Sequence, residues 1–141
     1  MIGVLVVSHY RLADEFVAAL QHIVGEVPHV RAMGVDPATT APEEMRAQID
    51  KAIHEVDQGK GVLVLVDMFG GTPSNLSLSF LDEGRVEVVT GVNLPMLVKV
   101  ARQKTGADIH ELAELARDYG RRNISVASDL LSSREPGKSP T

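Results

Sequence analysis

The chain has 141 residues, 44% apolar and 23% charged, which gives room for one domain with a real core and the composition of a soluble globular protein. Its formal net charge of -5, with two tyrosines and three phenylalanines, argues against a nucleic-acid surface, which needs a basic face with stacking aromatics. Without cysteine there are no disulfides and no thiolate chemistry, and the five histidines lack metal-ligand spacing such as His-x-x-x-His, so neither a metal nor a cofactor is expected. Met1 leads straight into an apolar run with no basic segment and no small-residue cleavage site, so a buried strand in a cytoplasmic protein is expected, not a signal peptide, and no stretch is long enough to insert in a membrane.

Ile2 to Val7 is a nearly continuous, β-branched-rich run, the pattern of a strand covered on both faces. From Leu12 the residues Leu12, Phe16, Leu20 and Ile23 recur at helical spacing, with Gly25 as a stop. Val30 to Val35 is a weaker strand, and the loop Pro37 to Pro42 precedes a helix over about 43–56. Val62 to Val66 is the strongest strand pattern in the chain. It runs into Asp67-Met68-Phe69-Gly70-Gly71-Thr72-Pro73, where Thr72 is suited to cap a helix and Pro73 to sit in its first turn. Val86 to Val89 is a short strand, Asn93 and Pro95 open another helix, and Asp108 with Glu111 forms a capping-box pattern for a last helix ending near Tyr119. Ile124 to Ala127 reads as a final strand, and Ser128 to Thr141 as a loose tail with too little apolar surface to order itself. The expected organisation is therefore one domain over 1–127 and a tail over 128–141.

Alternation of strand and helix implies an α/β fold with an open, mostly parallel sheet flanked by helices on both faces. In such sheets ligands sit at the carboxyl ends of the strands, where the strand order reverses. His9 and Asp67 each fall at such an end, so neighbouring first and third strands would bring an imidazole and a carboxylate to one crevice. A neutral ring nitrogen is a nucleophile near neutral pH, and a carboxylate on Nδ1-H would fix the tautomer that leaves Nε2 free. Gly70, Gly71 and Thr72, running into a helix start, offer N-H groups to an anion. Each feature alone has a bland explanation, as a solvent-facing histidine, a turn acid or a capped turn, whereas their combination points to phosphoryl transfer through histidine. His22, His29, His54 and His110 lack that combination.

Three segments carry a family resemblance: Ile2-Gly3-Val4-Leu5-Val6-Val7-Ser8-His9, Val66-Asp67-Met68-Phe69-Gly70-Gly71-Thr72-Pro73-Ser74-Asn75, and Gly91-Val92-Asn93-Leu94-Pro95-Met96-Leu97. Together they resemble the mannose-family enzyme IIA of the phosphoenolpyruvate-dependent sugar phosphotransferase system. The resemblance implies a phosphotransferase that is phosphorylated on Nε2 of His9, with Asp67 in support and the Gly71-Thr72 turn binding the phosphate. It implies phosphohistidine HPr as donor, a IIB component as acceptor, in carbohydrate uptake or a regulatory branch, and a homodimer that exchanges the last strand. Tyr10 departs from the family pattern, which has glycine after the histidine. The phosphoryl carrier of the dihydroxyacetone kinase system is a competing identity, disfavoured by the Asp67-x-x-Gly-Gly-Thr-Pro segment. A response-regulator receiver would need an acidic pair after the first strand, where Ser8-His9-Tyr10 has none. A nucleotide-binding module would need a glycine-rich phosphate motif that the chain lacks.

Overall fold

The computed structural model describes residues 1–104 and 106–133. Four strands, β1 (Gly3–His9), β2 (Val30–Val35), β3 (Val62–Val66) and β4 (Val86–Thr90), form one all-parallel sheet in the order β2-β1-β3-β4. Between and after them run α1 (Leu12–Val24), α2 (Pro42–Val56), α3 (Thr72–Leu78), α4 (Leu94–Ala101), α5 (Ile109–Arg122) and α6 (Ala127–Ser133). Among the described residues, no helix is long and apolar enough to cross a membrane.

The two central strands have side chains buried on both faces, which is why they read as continuous apolar runs. Val4 and Val6 with Leu63 and Leu65 pack under α1, α4 and α5, while Leu5 and Val7 with Val64 and Val66 pack under α2 and α3. Each fully buried Val or Leu contributes about 1.5–3 kcal/mol relative to exposure. The chain leaves β1 toward β2 on one side and returns to β3 on the other, so the strand order reverses between β1 and β3. Val7 pairs with Val66 in this register, which sets the ends of the two strands side by side.

Three local expectations differ from the structure. The buried stripe of α1 is Ala13, Val17 and Leu20, whereas Leu12 and Ile23 are about half exposed. The hydroxyl of Ser8 accepts a hydrogen bond from the Ala13 N-H at 2.6 Å, which locks the first turn so that the small alanine faces the sheet. Thr72 does not cap α3: it is the first helical residue, Gly71 holds the cap position, and no side chain bonds there. Ile124 to Ala127 forms no strand; the chain is irregular over 124–126 and Ala127 begins α6, which crosses the expected boundary of the tail. Ile124 and Val126 are 74% and 63% exposed. Residues 134–141 of the expected tail lie outside the described residues. Asn93 and Asp108 do cap their helices, accepting from Met96 N-H and Glu111 N-H.

Candidate functional site

His9 is the last residue of β1, and Asp67 follows β3 directly. Asp67 N-H donates to the Val7 carbonyl at 3.3 Å, extending the ladder by one step and holding the carboxylate at the reversal point. From there Asp67 Oδ2 lies 2.8 Å from His9 Nδ1 and also accepts the His9 backbone N-H at 2.9 Å. The other oxygen, Oδ1, accepts the Met68 N-H at 2.9 Å. Both oxygens thus face donors.

Burial pushes the Asp67 carboxyl upward, but the His9 backbone N-H, the hydrogen bond and charge of its ring, and the Met68 N-H outweigh it and hold the group below its usual value. The carboxylate is therefore ionised near neutral pH and carries no proton to give, so the hydrogen in the 2.8 Å contact sits on Nδ1. In the neutral ring this tautomer leaves Nε2 with its lone pair. The Asp67 side chain is 8% exposed and that of His9 is 44% exposed, so the acid is shielded while the ring is open to a partner.

The glycine turn lies on the Nε2 side of the ring. A Cβ built on Gly71 would fall 2.6 Å from His9 Cε1 and 2.8 Å from Nε2. Glycine is needed there because the imidazole rests against its Cα. Gly70 has a φ of 94°, which turns the chain from Phe69 into α3. Thr72 is the first residue of that helix. The five residues singled out from sequence, His9, Asp67, Gly70, Gly71 and Thr72, thus stand on two adjoining strand ends and one turn.

Two supports escaped sequence reasoning. Ser8 is buried and ties β1 to α1 through Ala13 N-H. Gly34, in β2, gives space to the Tyr10 carbonyl, which would lie 1.7 Å from a Cβ at that position. A serine at a strand end and a glycine within a weak strand were their only signals. The other histidines have different settings. His29 is buried with Nε2 on the Ala101 carbonyl, His54 bonds the Asp50 carbonyl on its own helix, and His110 bonds Glu114 one turn further along α5. Among the described residues no group of three or more potential ligands could hold a metal ion.

The chain is 31% identical over 112 residues to the sorbose-specific EIIA component of the phosphotransferase system from Lacticaseibacillus casei, covering 77% of this chain and 78% of that protein. It is 33% identical over 130 residues to the mannose-specific EIIAB component of Escherichia coli, covering 89% of this chain but 39% of that longer protein. Its fold superposes on the mannose/sorbose-specific IIA subunit from Enterococcus faecalis with a TM-score of 0.79 and 27% identity, over 89% of this chain and 93% of that one. A family model, EIIA-man, described as the fructose IIA component of the phosphotransferase system, matches residues 3–117, and the chain belongs to that family.

Proposed function

We propose that His9 is the residue through which this IIA component carries its phosphoryl group, taking it from phosphohistidine HPr and passing it to a IIB component, in carbohydrate uptake or a regulatory branch. One observation carries the assignment: an ionised, shielded carboxylate 2.8 Å from Nδ1, which leaves Nε2 as the free nucleophile on an exposed ring. The Nε2 lone pair attacks the phosphorus of the donor's phosphohistidine. The bond from phosphorus to the donor nitrogen breaks, and its electron pair stays with the donor ring. His9 keeps the Nδ1 proton throughout, so the phosphorylated ring becomes cationic, and the Asp67 carboxylate offsets that charge as it develops. Gly70, Gly71 and Thr72 receive the phosphoryl oxygens through turn N-H groups and the Thr72 hydroxyl. Since positioning and charge stabilisation supply most of the catalysis in phosphoryl transfer, these groups suffice without a metal at this step.

Asp67→Asn tests the carboxylate. An amide has one acceptor oxygen, whereas Asp67 uses one oxygen for the His9 N-H and ring and the other for the Met68 N-H. Either orientation of asparagine therefore sets an NH2 against a backbone donor, at a cost of about 1–3 kcal/mol. Transfer from phospho-HPr should slow on the order of tenfold or more, because the ring loses its tautomer control and the offsetting charge. A wild-type rate in stopped-flow or quench measurements would remove Asp67 from the mechanism.

We further propose a cytoplasmic homodimer in which residues 1–127 suffice for function and the segment 124–127 of each copy pairs with the other's β4. Supporting this, β4 is the sheet edge and a groove of about 420 Å³ runs beside it, lined by Val88, Thr90, Gly91, Arg117 and Ile124. An unpaired edge is a template for another strand, and Ile124 and Val126 offer exposed apolar side chains next to it. Truncation after Ala127 should leave a dimer that accepts phosphate, while truncation before Ile124 should give monomer or aggregate by light scattering. An unchanged dimer from the shorter chain would place the interface elsewhere.

A further inference from the structure

Among the described residues Tyr10 is the one non-glycine with a positive φ, at 50°. That conformation costs an L-residue stability that glycine would not lose. The fold imposes it. Tyr10 N-H donates to the Val35 carbonyl at 2.9 Å, and the Tyr10 carbonyl fills the space that a side chain on Gly34 would need. Beyond the backbone, the tyrosine contributes only its ring. The residue is 64% exposed, and the neighbouring Arg11 guanidinium lies 5.7 Å from the ring centroid, so the ring gives this chain little core burial.

A residue that strains the backbone without filling the core stands immediately after the phosphoryl acceptor. Met68 and Phe69, which follow Asp67, are 55% and 70% exposed. Three large apolar side chains thus flank the two reacting-site residues in sequence and face solvent. Direct transfer between two imidazoles requires the donor protein's surface to settle over His9, which brings that surface onto these residues. We propose that the Tyr10 ring, with Phe69 and Met68, is a docking contact that selects the donor, a protein whose phosphohistidine is set in an apolar surface. Arg11, 5.7 Å from the ring, restrains the ring for that contact. The proposal rests on His9 being the carrier.

The test compares transfer from phospho-HPr with labelling by phosphoramidate, a small donor that needs no docking. Wild type, Tyr10→Gly, Tyr10→Ala and Tyr10→Phe are measured with both. Tyr10→Gly relieves the strained backbone and so should fold at least as well as wild type, yet its KM for phospho-HPr should rise about tenfold with kcat little changed. Tyr10→Ala should share the rise in KM, and Tyr10→Phe should restore it. Phosphoramidate should label His9 at similar rates in wild type and all three variants. An unchanged KM in Tyr10→Gly would overturn the proposal, as would an equal loss with both donors, which would make Tyr10 a positioning residue for His9. A wild-type protein labelled by neither donor would overturn the carrier assignment and the docking role with it.

Discussion

His9→Ala should abolish phosphoryl uptake from phospho-HPr while leaving the fold intact. His29, His54 and His110 do not offer the same chemistry. His29 is 5% exposed with Nε2 bound to a carbonyl, and His54 spends Nδ1 on the carbonyl of Asp50. His110 pairs Nε2 with Glu114 at 2.8 Å, which resembles the His9 arrangement, but both residues lie on the exposed face of α5 and not at the carboxyl end of a strand. The variant should fold because the His9 side chain is 44% exposed and Asp67 retains the two backbone N-H groups that satisfy its oxygens. Loss of a half-exposed ring costs little burial. Circular dichroism should match wild type, and radiolabel from phosphoenolpyruvate through enzyme I and HPr should fall to background. Label retained in His9→Ala would move the acceptor to another residue.

Gly71→Ala should reduce transfer by about 10²-fold with almost no loss of stability, since a misplacement of about 1 Å at a reacting group has effects of that size. Gly71 has a φ of -90°, which any L-residue adopts, so the backbone does not resist the change. The obstacle is the imidazole: an added Cβ would lie 2.6 Å and 2.8 Å from two of its atoms, closer than non-bonded carbon and nitrogen tolerate. The ring must swing away, and in doing so it lengthens the 2.8 Å contact with Asp67 or leaves the position above the turn. Thermal unfolding should therefore be near wild type while single-turnover transfer is slow. Wild-type transfer in this variant would mean that the ring does not work from its position against Gly71.

Much of this arrangement could be read from the chain alone, because the informative residues signal through local rules. Val62 to Val66 announces a strand buried on both faces by composition, and all five residues are fully buried. His9 and Asp67 each end an apolar run, so their meeting required one further step, the adjacency of β1 and β3. Asn93 and Asp108 were legible as caps because a side chain bonding two or three residues onward depends on nothing distant.

What failed depended on tertiary context. The stripes through Leu12 and through Ala13 share Leu20, and periodicity does not choose between them; the Ser8 hydroxyl does, by bonding the Ala13 N-H. Thr72 has the chemistry of a cap, yet the turn places Gly71 at the cap position against the His9 ring. Ile124 and Val126 have strand-forming side chains, but a strand needs a neighbour, and in this chain those residues are left exposed ahead of α6. Gly71 was read as a source of N-H groups; its role as the surface on which the imidazole rests emerged only from the folded geometry.

The most direct test is nitrogen and phosphorus NMR on protein carrying ¹⁵N-labelled histidine and phosphorylated through HPr. An ionised Asp67 on Nδ1 requires that phosphorus bond to Nε2 of His9 and that Nδ1 keep its proton in both the free and the phosphorylated protein. Phosphorus coupled to Nε2 of His9, with a protonated Nδ1, is the predicted result. Phosphorus on Nδ1, on the Asp67 carboxylate or on any other histidine would contradict the account.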